Sequence, residues 1–344
     1  MVISPRIKGF ICITAHPDGC RENVRRQMEY VEKNGKTENG PKNVLIIGAS
    51  TGYGLASRIA LAFGSGANTL GIMFEKNATA TRTATPGYYN TAAFEEFAKE
   101  KGLYAETING DAFSVECKEQ TIQKIREDLG KVDMVIYSLA APRRTTPDGT
   151  TYTSVLKPVG EPFTNLSWNA KDNSLTTVTL EPANEEEVAA TVKVMGGEDW
   201  SDWIDALHDA DVLSEHAVTV AYSYIGPELT YPIYKEGTIG MAKKNLKECS
   251  DRINEKYQDA GIRSYVSVNK AVVTQASAAI PVVPLYFMIL YKVMKAKNLH
   301  EGCIEQMDRL FRQKLTGTHA EQDAEGFIRM DDWELREVVQ AEVM

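Results

Sequence analysis

Short, continuous apolar runs alternate with segments of helical period along the first 140 residues. The run Val44–Ile47 has no polar position, which is typical of a strand buried on both faces of a parallel sheet, and an apolar-periodic helix is predicted over Leu55–Phe63. The further predicted elements are strands at Thr69–Phe74, Ala105–Ile108 and Val132–Tyr137 and helices at Thr91–Lys101 and Thr121–Leu129. This alternation predicts βαβ units, and therefore an α/β fold with a doubly wound parallel sheet of the Rossmann type.

Outside these units the pattern still predicts a single domain, residues 1–344, with additions. Residues 1–40 form an N-terminal extension, and residues 141–200, rich in Thr, Pro and Gly at their start, form an insertion near the predicted site. The remaining predictions are strands at Ile7–Thr14, Thr176–Leu180, Ala217–Tyr222 and Ser264–Val268, helices at Arg21–Lys33, Trp200–Ala210 and Thr238–Tyr257, and a turn at residues 16–20.

Composition and charge exclude several classes of protein. The chain has 344 residues, 43% of them hydrophobic and 25% charged, as in an ordinary globular protein. Its net charge of −9 disfavours binding to nucleic acid, because the protein would repel the phosphate backbone. The five cysteines form no C-x-x-C pair, so neither a disulfide scaffold nor a zinc site is predicted. His16, Asp18 and Cys20 alternate within turn chemistry and lack a second ligand cluster, so no metal is expected.

The apolar stretches are too short for a membrane protein. Gly9–Thr14 carries no signal-cleavage pattern, and Ala278–Leu290 contains two prolines and falls short of the roughly 20 residues that span a bilayer. We therefore expect a cytoplasmic protein with reduced thiols and no membrane span.

A glycine-rich turn follows the first buried strand of the sheet. It reads Gly48-Ala49-Ser50-Thr51-Gly52-Tyr53-Gly54 and precedes a predicted helix. Glycines at these places permit a tight turn, close approach of a pyrophosphate and close helix–strand packing, and the helix N-terminus binds the anion. The G-x-x-x-G-x-G spacing is similar to that of short-chain dehydrogenases. It predicts a dinucleotide site.

Three further strand ends carry chemistry that fits such a site. Glu75 ends the second strand, where a carboxylate accepts hydrogen bonds from the adenosine ribose and repels a 2′-phosphate, so NADH is favoured over NADPH. The adjacent Lys76 weakens that preference if it faces the cofactor. Asp111-Ala112 follows the third strand, beside the adenine, and Leu139-Ala140 follows the fourth, beside the ribose.

Two tyrosine–lysine pairs are candidates for proton donation to a carbonyl oxygen that gains charge during hydride transfer. Tyr231 and Lys235 have the usual Y-x-x-x-K spacing of short-chain dehydrogenases, but Pro232 disfavours a helix interior there, and the position of the usual serine is Val218. This pair is interpreted as fortuitous.

The second pair, Tyr234 and Lys243, has the spacing Y-x8-K. Nine residues place the two on opposite faces of one straight helix, so the pair requires a break, which Gly237 can supply. Ala221 occupies the serine position of a ketoreductase. Aromatic core packing remains an alternative role for these tyrosines.

These motifs together resemble one family. The stretch Tyr224–Tyr234, the Y-x8-K spacing, the glycine-rich turn and Val272–Ser277 followed by Ile280-Pro281 resemble the FabV-type enoyl-[acyl-carrier-protein] reductases and the related trans-2-enoyl-CoA reductases, from about Ile7 to Glu334. The resemblance implies NADH-dependent, flavin-free reduction of trans-2-enoyl thioesters in fatty acid synthesis by an enlarged short-chain dehydrogenase fold, usually as a monomer. Family members continue well beyond Glu334, so the chain is expected to be C-terminally short.

The resemblance also implies the functional residues. Tyr234 is the proton donor, Lys243 the catalytic and cofactor-holding lysine, and Tyr224 a substrate contact. Residues 278–344 supply the acyl pocket and C-terminal helices, with Ile280–Met294 covering the acyl chain. The implied cofactor-binding positions are Gly48, Ala49, Ser50, Thr51, Gly52, Tyr53, Phe74, Glu75, Asp111, Ala112, Leu139, Ala140, Lys243, Val272, Val273 and Thr274.

Alternatives remain open from the residues alone. A 3-ketoacyl or other carbonyl reductase has the same fold, although Ala221 and Val218 replace the serine that it needs. A catalytically silent dinucleotide-binding protein is the other alternative. The thioester carrier is either CoA or acyl carrier protein, and the charge of −9 slightly favours CoA because acyl carrier protein is itself acidic.

Overall fold

The computed structural model describes residues 4–8, 11–169, 173–273 and 283–344. The described strands are β1 (Ile7–Lys8), β2 (Ile11–Cys12), β3 (Asn43–Ile47), β4 (Asn68–Met73), β5 (Ala105–Asn109), β6 (Val132–Tyr137), β7 (Arg143–Thr145), β8 (Thr151–Thr153), β9 (Phe163–Asn169), β10 (Ser174–Leu180), β11 (Leu213–Ser223), β12 (Arg263–Val268), β13 (Leu315–Thr316), β14 (His319–Ala320) and β15 (Phe327–Arg329). The described α-helices are α1 (Pro17–Lys33), α2 (Gly52–Ile59), α3 (Pro86–Glu100), α4 (Val115–Asp128), α5 (Glu185–Met195), α6 (Glu198–Asp209), α7 (Tyr231–Tyr234), α8 (Thr238–Lys256), α9 (Val283–Ala296), α10 (Cys303–Arg309) and α11 (Glu337–Val343).

Seven parallel strands form the central sheet, in the order β15-β12-β11-β6-β3-β4-β5. The chain runs from β3 outward through β4 and β5 and then returns to place β6 on the other side of β3. The strand order therefore reverses between β3 and β6, and in such sheets ligands bind in the crevice at the carboxyl ends of the strands at this point. The predicted doubly wound, Rossmann-like fold is confirmed.

Both faces of the sheet are covered by helices, which explains the uninterrupted apolar strands. The side chains of Val44–Ile47 have no exposed surface. Residues of α1, α2, α3 and α10 pack on one face, and residues of α4, α6 and α8, including the fully buried Trp200 and Trp203, pack on the other.

Several predicted boundaries differ from the structure. Residues 17–20, predicted as a turn, form the first turn of α1, because Pro17 occupies a position where the missing N–H costs nothing and His16 caps the helix by accepting a hydrogen bond from Gly19 N. The predicted strand Ile7–Thr14 is instead two short antiparallel strands, β1 and β2.

The irregular regions contain elements that the pattern did not predict. Helix α5 begins at a capping box formed by Asn184 and Glu187. The predicted strand Thr176–Leu180 is part of β10, which forms an antiparallel hairpin with β9. Strand β15 adds a seventh strand to the central sheet. The division into an N-terminal extension, an insertion and a C-terminal part stays a prediction.

Among the described residues, no helix is long and apolar enough to cross a membrane, and no group of three or more His, Cys, Asp or Glu residues is arranged to hold a metal.

A buried arginine joins α2 to the sheet. Arg58 has no exposed surface and donates hydrogen bonds to the Thr69 hydroxyl at 3.1 Å, the Thr107 hydroxyl at 2.8 Å and the carbonyl oxygen of Glu106 at 2.7 Å. Its guanidinium also lies over the Phe94 ring, 4.4 Å from the centroid. These contacts replace the water that the cation loses on burial.

We expect Arg58→Ala to lower the free energy of unfolding by about 3 kcal/mol, because the substitution leaves a cavity and several buried polar groups without partners. Urea denaturation followed by circular dichroism measures this. Lys131→Ala, which removes an exposed ion pair with Asp211, is the control and should change stability by less than about 0.5 kcal/mol. Equal losses of stability in the two variants would contradict the stabilising role of the buried Arg58 contacts.

Candidate active site

A cavity of about 1190 Å³ lies at the carboxyl ends of the central strands. Its wall contains the glycine-rich turn, the ends of β4 and β6, residues 110–113, Lys243 on α8 and the start of α10. The predicted cofactor positions in this wall are Gly48, Ser50, Thr51, Gly52, Tyr53, Phe74, Glu75, Asp111, Ala112, Leu139, Ala140, Lys243 and Val273. Positions from separate strand ends therefore meet at the switch point of the sheet.

Two predicted cofactor positions among the described residues stand apart from that wall. Ala49 is fully buried beneath the turn, and Val272 is half-buried beside Val273. Thr274 lies outside the described residues, as do Ile280 and Pro281 of the predicted acyl cover.

The glycine-rich turn has the geometry that a pyrophosphate requires. Gly48 and Gly52 have positive φ angles of 87° and 56°, and a Cβ atom on Gly54 would lie 1.9 Å from the carbonyl oxygen of Gly48. Helix α2 begins at Gly52, and the side chain of the N-cap residue Thr51 makes no capping hydrogen bond. The N–H groups of the first turn therefore face the cavity as donors for an anion, and the turn fits a dinucleotide.

Glu75 is held at the cavity wall by contacts that sequence reasoning did not identify. Its Oε1 atom accepts a hydrogen bond from the Ser50 hydroxyl at 2.6 Å, and the Asn109 side chain binds both the N–H and the carbonyl oxygen of Glu75. A Cβ atom on Gly87 would lie 2.0 Å from the same Oε1 atom. No contact among the described residues uses the second carboxylate oxygen, which can accept hydrogen bonds from ribose hydroxyls.

Lys243 brings a cation into the wall. Helix α8 begins at Thr238 directly after Gly237, which is the break that the Y-x8-K pair requires. The Nζ atom of Lys243 donates to the carbonyl oxygen of Tyr222 at 2.9 Å, and burial lowers the pKa of this amine to about 8. The ammonium form has further N–H donors for a ligand.

Tyr234 lies outside the cavity wall described above, in an apolar cluster with Tyr286 and Phe287 of α9. Its side chain is 5% exposed, and its ring packs edge-to-face on the ring of Tyr224 with the centroids 4.6 Å apart. Burial and the negative charge of Glu334 raise the pKa of Tyr234, so the phenol is protonated at neutral pH. Among the described contacts, none joins Tyr234 to Lys243.

The alternative pair is at the surface. The Nζ atom of Lys235 lies over the ring of Tyr231, 4.2 Å from its centroid, and Lys235 is exposed. Neither residue belongs to the described wall of the cavity. The pair is a surface cation–π contact.

Buried polar residues behind the cavity were not identified from the sequence. Lys270 is 1% exposed, its Nζ atom donates to the carbonyl oxygen of Ala271 at 2.7 Å, and its own carbonyl oxygen accepts from the Tyr53 hydroxyl at 2.6 Å. Burial lowers the pKa of Lys270 to about 8. No motif marks Lys270, because its contact with Tyr53 joins residues 217 positions apart.

Comparison with known proteins gives a consistent result. Residues 82–316 match the trans-2-enoyl-CoA reductase catalytic region, and residues 2–80 match the NAD(P)H-binding domain of trans-2-enoyl-CoA reductase. The enoyl-[acyl-carrier-protein] reductase [NADH] of Cytophaga hutchinsonii is 57% identical over 345 residues, and the trans-2-enoyl-CoA reductase [NADH] of Ruminiclostridium cellulolyticum is 56% identical over 344; each match covers 100% of this chain and 87% of the relative. The crystal structure of Treponema denticola trans-2-enoyl-CoA reductase in complex with NAD is 50% identical, with a TM-score of 0.95, and the match covers 100% of this chain and 88% of that one.

The titration of Lys243 is directly measurable. In protein labelled with ¹³C at lysine Cε, we expect two lysine resonances that titrate near pH 8, from Lys243 and Lys270, because burial disfavours both ammonium ions. Lys243→Met should remove one of the two, whereas Lys244→Met, which alters the exposed neighbour, should remove neither. A spectrum in which all lysines titrate close to the ordinary value near 10.4 would contradict the assignment.

Proposed function

Because the chain belongs to the family of trans-2-enoyl-CoA reductases and FabV-type enoyl-[acyl-carrier-protein] reductases, we propose that Tyr234 is the proton donor of the family's reaction in this protein. The protein is an NADH-dependent oxidoreductase that reduces the C2–C3 double bond of trans-2-enoyl thioesters in fatty acid synthesis. The roles of individual residues below are part of the proposal.

When bound, NADH supplies a hydride to C3 of the enoyl thioester. Negative charge then develops on the thioester carbonyl oxygen, and Tyr234 donates a hydrogen bond or proton to that oxygen. A proton added at C2 completes the saturated acyl thioester; the net proton comes from solvent, and a proton that Tyr234 has given to the oxygen returns to the phenol. The observation that carries this assignment is the buried, protonated phenol of Tyr234 inside an apolar cluster with α9, the helix that forms most of the predicted acyl cover.

The state of Tyr234 supports a donor role. Its raised pKa keeps the proton on the phenol at neutral pH, and an apolar setting strengthens each hydrogen bond made there. The perpendicular ring of Tyr224 limits the rotation of the Tyr234 ring. Tyr224 is thus placed beside the proposed donor, in keeping with the substrate contact that the family resemblance implies for it.

Lys243 is proposed to hold the cofactor. Its Nζ atom is fixed at Tyr222 in the cavity wall, where its remaining donors can reach the nicotinamide ribose hydroxyls. The described contacts of Lys243 do not include Tyr234, so the geometry supports cofactor anchoring as the main role of this lysine. Its positive charge would also stabilise the negative charge that develops on the thioester oxygen.

Glu75 is proposed to select NADH. The contact with Ser50 orients its carboxylate at the cavity wall, where it accepts hydrogen bonds from the adenosine ribose and repels a 2′-phosphate. Asp111, Ala112, Leu139, Ala140 and Val273 complete the proposed cofactor wall.

Three further assignments belong to the same proposal. The thioester carrier is CoA or acyl carrier protein, and the net charge of −9 slightly favours CoA because it gives no general attraction for an acidic carrier protein. The protein acts as a monomer, and it acts in the cytoplasm. A substrate panel of CoA and carrier-protein enoyl esters, with sedimentation of the protein, tests the first two.

Tyr234→Phe should lower kcat for NADH oxidation with crotonyl-CoA by at least about 100-fold, because the variant loses its proton donor and keeps its ring. Tyr231→Phe, on the same short helix, is the matched control and should retain kcat within about twofold, since Tyr231 packs against Lys235 instead. Absorbance at 340 nm measures both.

Unchanged turnover in Tyr234→Phe would exclude the proposed donor. Wild-type protein that reduces acetoacetyl-CoA and leaves crotonyl-CoA unchanged would instead indicate a carbonyl reductase. NADH binding by fluorescence without turnover of any enoyl thioester would indicate a silent binding protein.

Glu75→Ala should raise KM for NADH by about 10-fold or more, because charge-assisted hydrogen bonds to the ribose are lost, and should raise kcat/KM for NADPH, because repulsion of the 2′-phosphate is lost. Lys76→Ala is the control, and KM for NADH should change by less than about twofold. An unchanged ratio of NADH to NADPH efficiency in Glu75→Ala would remove Glu75 from the cofactor site.

A further inference from the structure

A buried carboxylate lies beside the edge-to-face pair Tyr224 and Tyr234. Glu334 has no exposed surface and belongs to the segment between β15 and α11. Its Oε1 atom accepts hydrogen bonds from the hydroxyls of Tyr224 at 2.8 Å and Tyr286 at 2.7 Å, and its Oε2 atom accepts from Ala271 N at 2.6 Å. One side chain therefore joins the ends of β11 and β12 to helix α9.

The donors around Glu334 define its ionisation. All three groups on its oxygens can donate, and the backbone N–H of Ala271 can only donate. Tyr286 also accepts a hydrogen bond from Gln340 Nε2 at 3.3 Å, which directs its own proton to Glu334. The arrangement therefore suits the carboxylate form. The pKa of Glu334 is raised, because burial outweighs the three hydrogen bonds and the Lys270 cation, which act in the opposite direction.

The orientation of Tyr224 follows from this contact. A phenol has one proton, and that of Tyr224 is directed to Glu334, so the Tyr224 oxygen presents only lone pairs to the rest of its surroundings. Gly226 leaves room for the same hydroxyl, because a Cβ atom there would lie 2.5 Å from it, and its φ of 73° favours glycine. Tyr224 in turn packs edge-to-face on Tyr234.

We propose that Glu334 is a positioning residue for the reduction: it accepts the hydrogen bond of the Tyr224 hydroxyl and thereby leaves Tyr234, of these two phenols, as the donor to the thioester oxygen. The inference rests on the proposed function of Tyr234. It assigns to the two tyrosines opposite hydrogen-bonding roles, with Tyr224 as an acceptor and a support for the Tyr234 ring.

Glu334→Gln is the informative substitution because it keeps the shape of the side chain. The Ala271 N–H requires an acceptor, so the amide oxygen of the glutamine faces it and the amide NH₂ faces the two hydroxyls. Tyr224 then accepts a hydrogen bond from this NH₂ group, and its own hydroxyl proton turns away from residue 334, toward the proposed substrate site. We expect kcat with crotonyl-CoA to fall about tenfold or more, with KM for NADH changed less than about twofold.

Two comparisons separate positioning from a general loss of structure. Glu337→Gln makes the same change at an exposed position three residues later and should leave kcat within about twofold. In a Tyr224→Phe background, Glu334→Gln should add less than about a threefold loss, because residues that act through one another are not additive. Full activity of Glu334→Gln, or the same fold-loss in both backgrounds, would overturn the proposal.

A measurement without substrate keeps the inference separate from the proposed function. The hydroxyl proton of Tyr224, identified in ¹H NMR spectra by its absence in Tyr224→Phe, should resonate downfield of an ordinary phenol because it is bound to a carboxylate. A resonance at the ordinary phenol position would overturn the proposal. This comparison needs no Glu334 variant, so it decides the matter even if Glu334→Gln does not fold. If the wild-type protein reduced no enoyl thioester, the proposed function would be wrong, but the position of the Tyr224 hydroxyl resonance would still test its hydrogen bond to Glu334.

Discussion

The burial of β3 between β4 and β6 is the constraint on which the rest of the structure depends. Because β3 has neighbours on both sides and helices on both faces, its side chains from Val44 to Ile47 must be apolar, and the chain must leave it through a turn that only glycine allows. The same return of the chain that puts β6 beside β3 opens the crevice at their carboxyl ends. Sheet stability and cofactor binding are therefore properties of one arrangement.

Burial has opposite consequences for the two proposed catalytic residues. It destabilises the ammonium of Lys243 and lowers its pKa to about 8, whereas it destabilises the phenolate of Tyr234 and raises that pKa. At neutral pH the lysine remains largely a cation and the tyrosine an intact phenol. Burial thus favours the protonated form of the tyrosine and opposes that of the lysine, whose pKa of about 8 still leaves it largely charged at pH 7.

The sequence predicted those parts of the molecule that depend on local pattern. The apolar runs located six of the seven central strands, and the glycine spacing located the turn at Gly48, since both follow from backbone and burial requirements within a few residues. The prediction of a turn at residues 17–20 was wrong, because proline and glycine occur in a first helical turn as well as in a loop. Strand β15 and helix α5 were missed because short elements in polar surroundings have weak periodicity.

The tertiary part of the site was beyond local pattern. Ser50 and Glu75 were each predicted to face the cofactor, but their mutual hydrogen bond depends on how β3 and β4 align. Glu334 lies 110 residues from Tyr224 and has no motif of its own, and its significance arises only when three donors converge on it. A carboxylate without an exposed surface is unfavourable unless each oxygen is satisfied, so its position constrains the hydroxyls that satisfy it. In the proposed role of Glu334, the C-terminal segment acts on the chemistry through hydrogen-bond direction, although it contributes no predicted catalytic group.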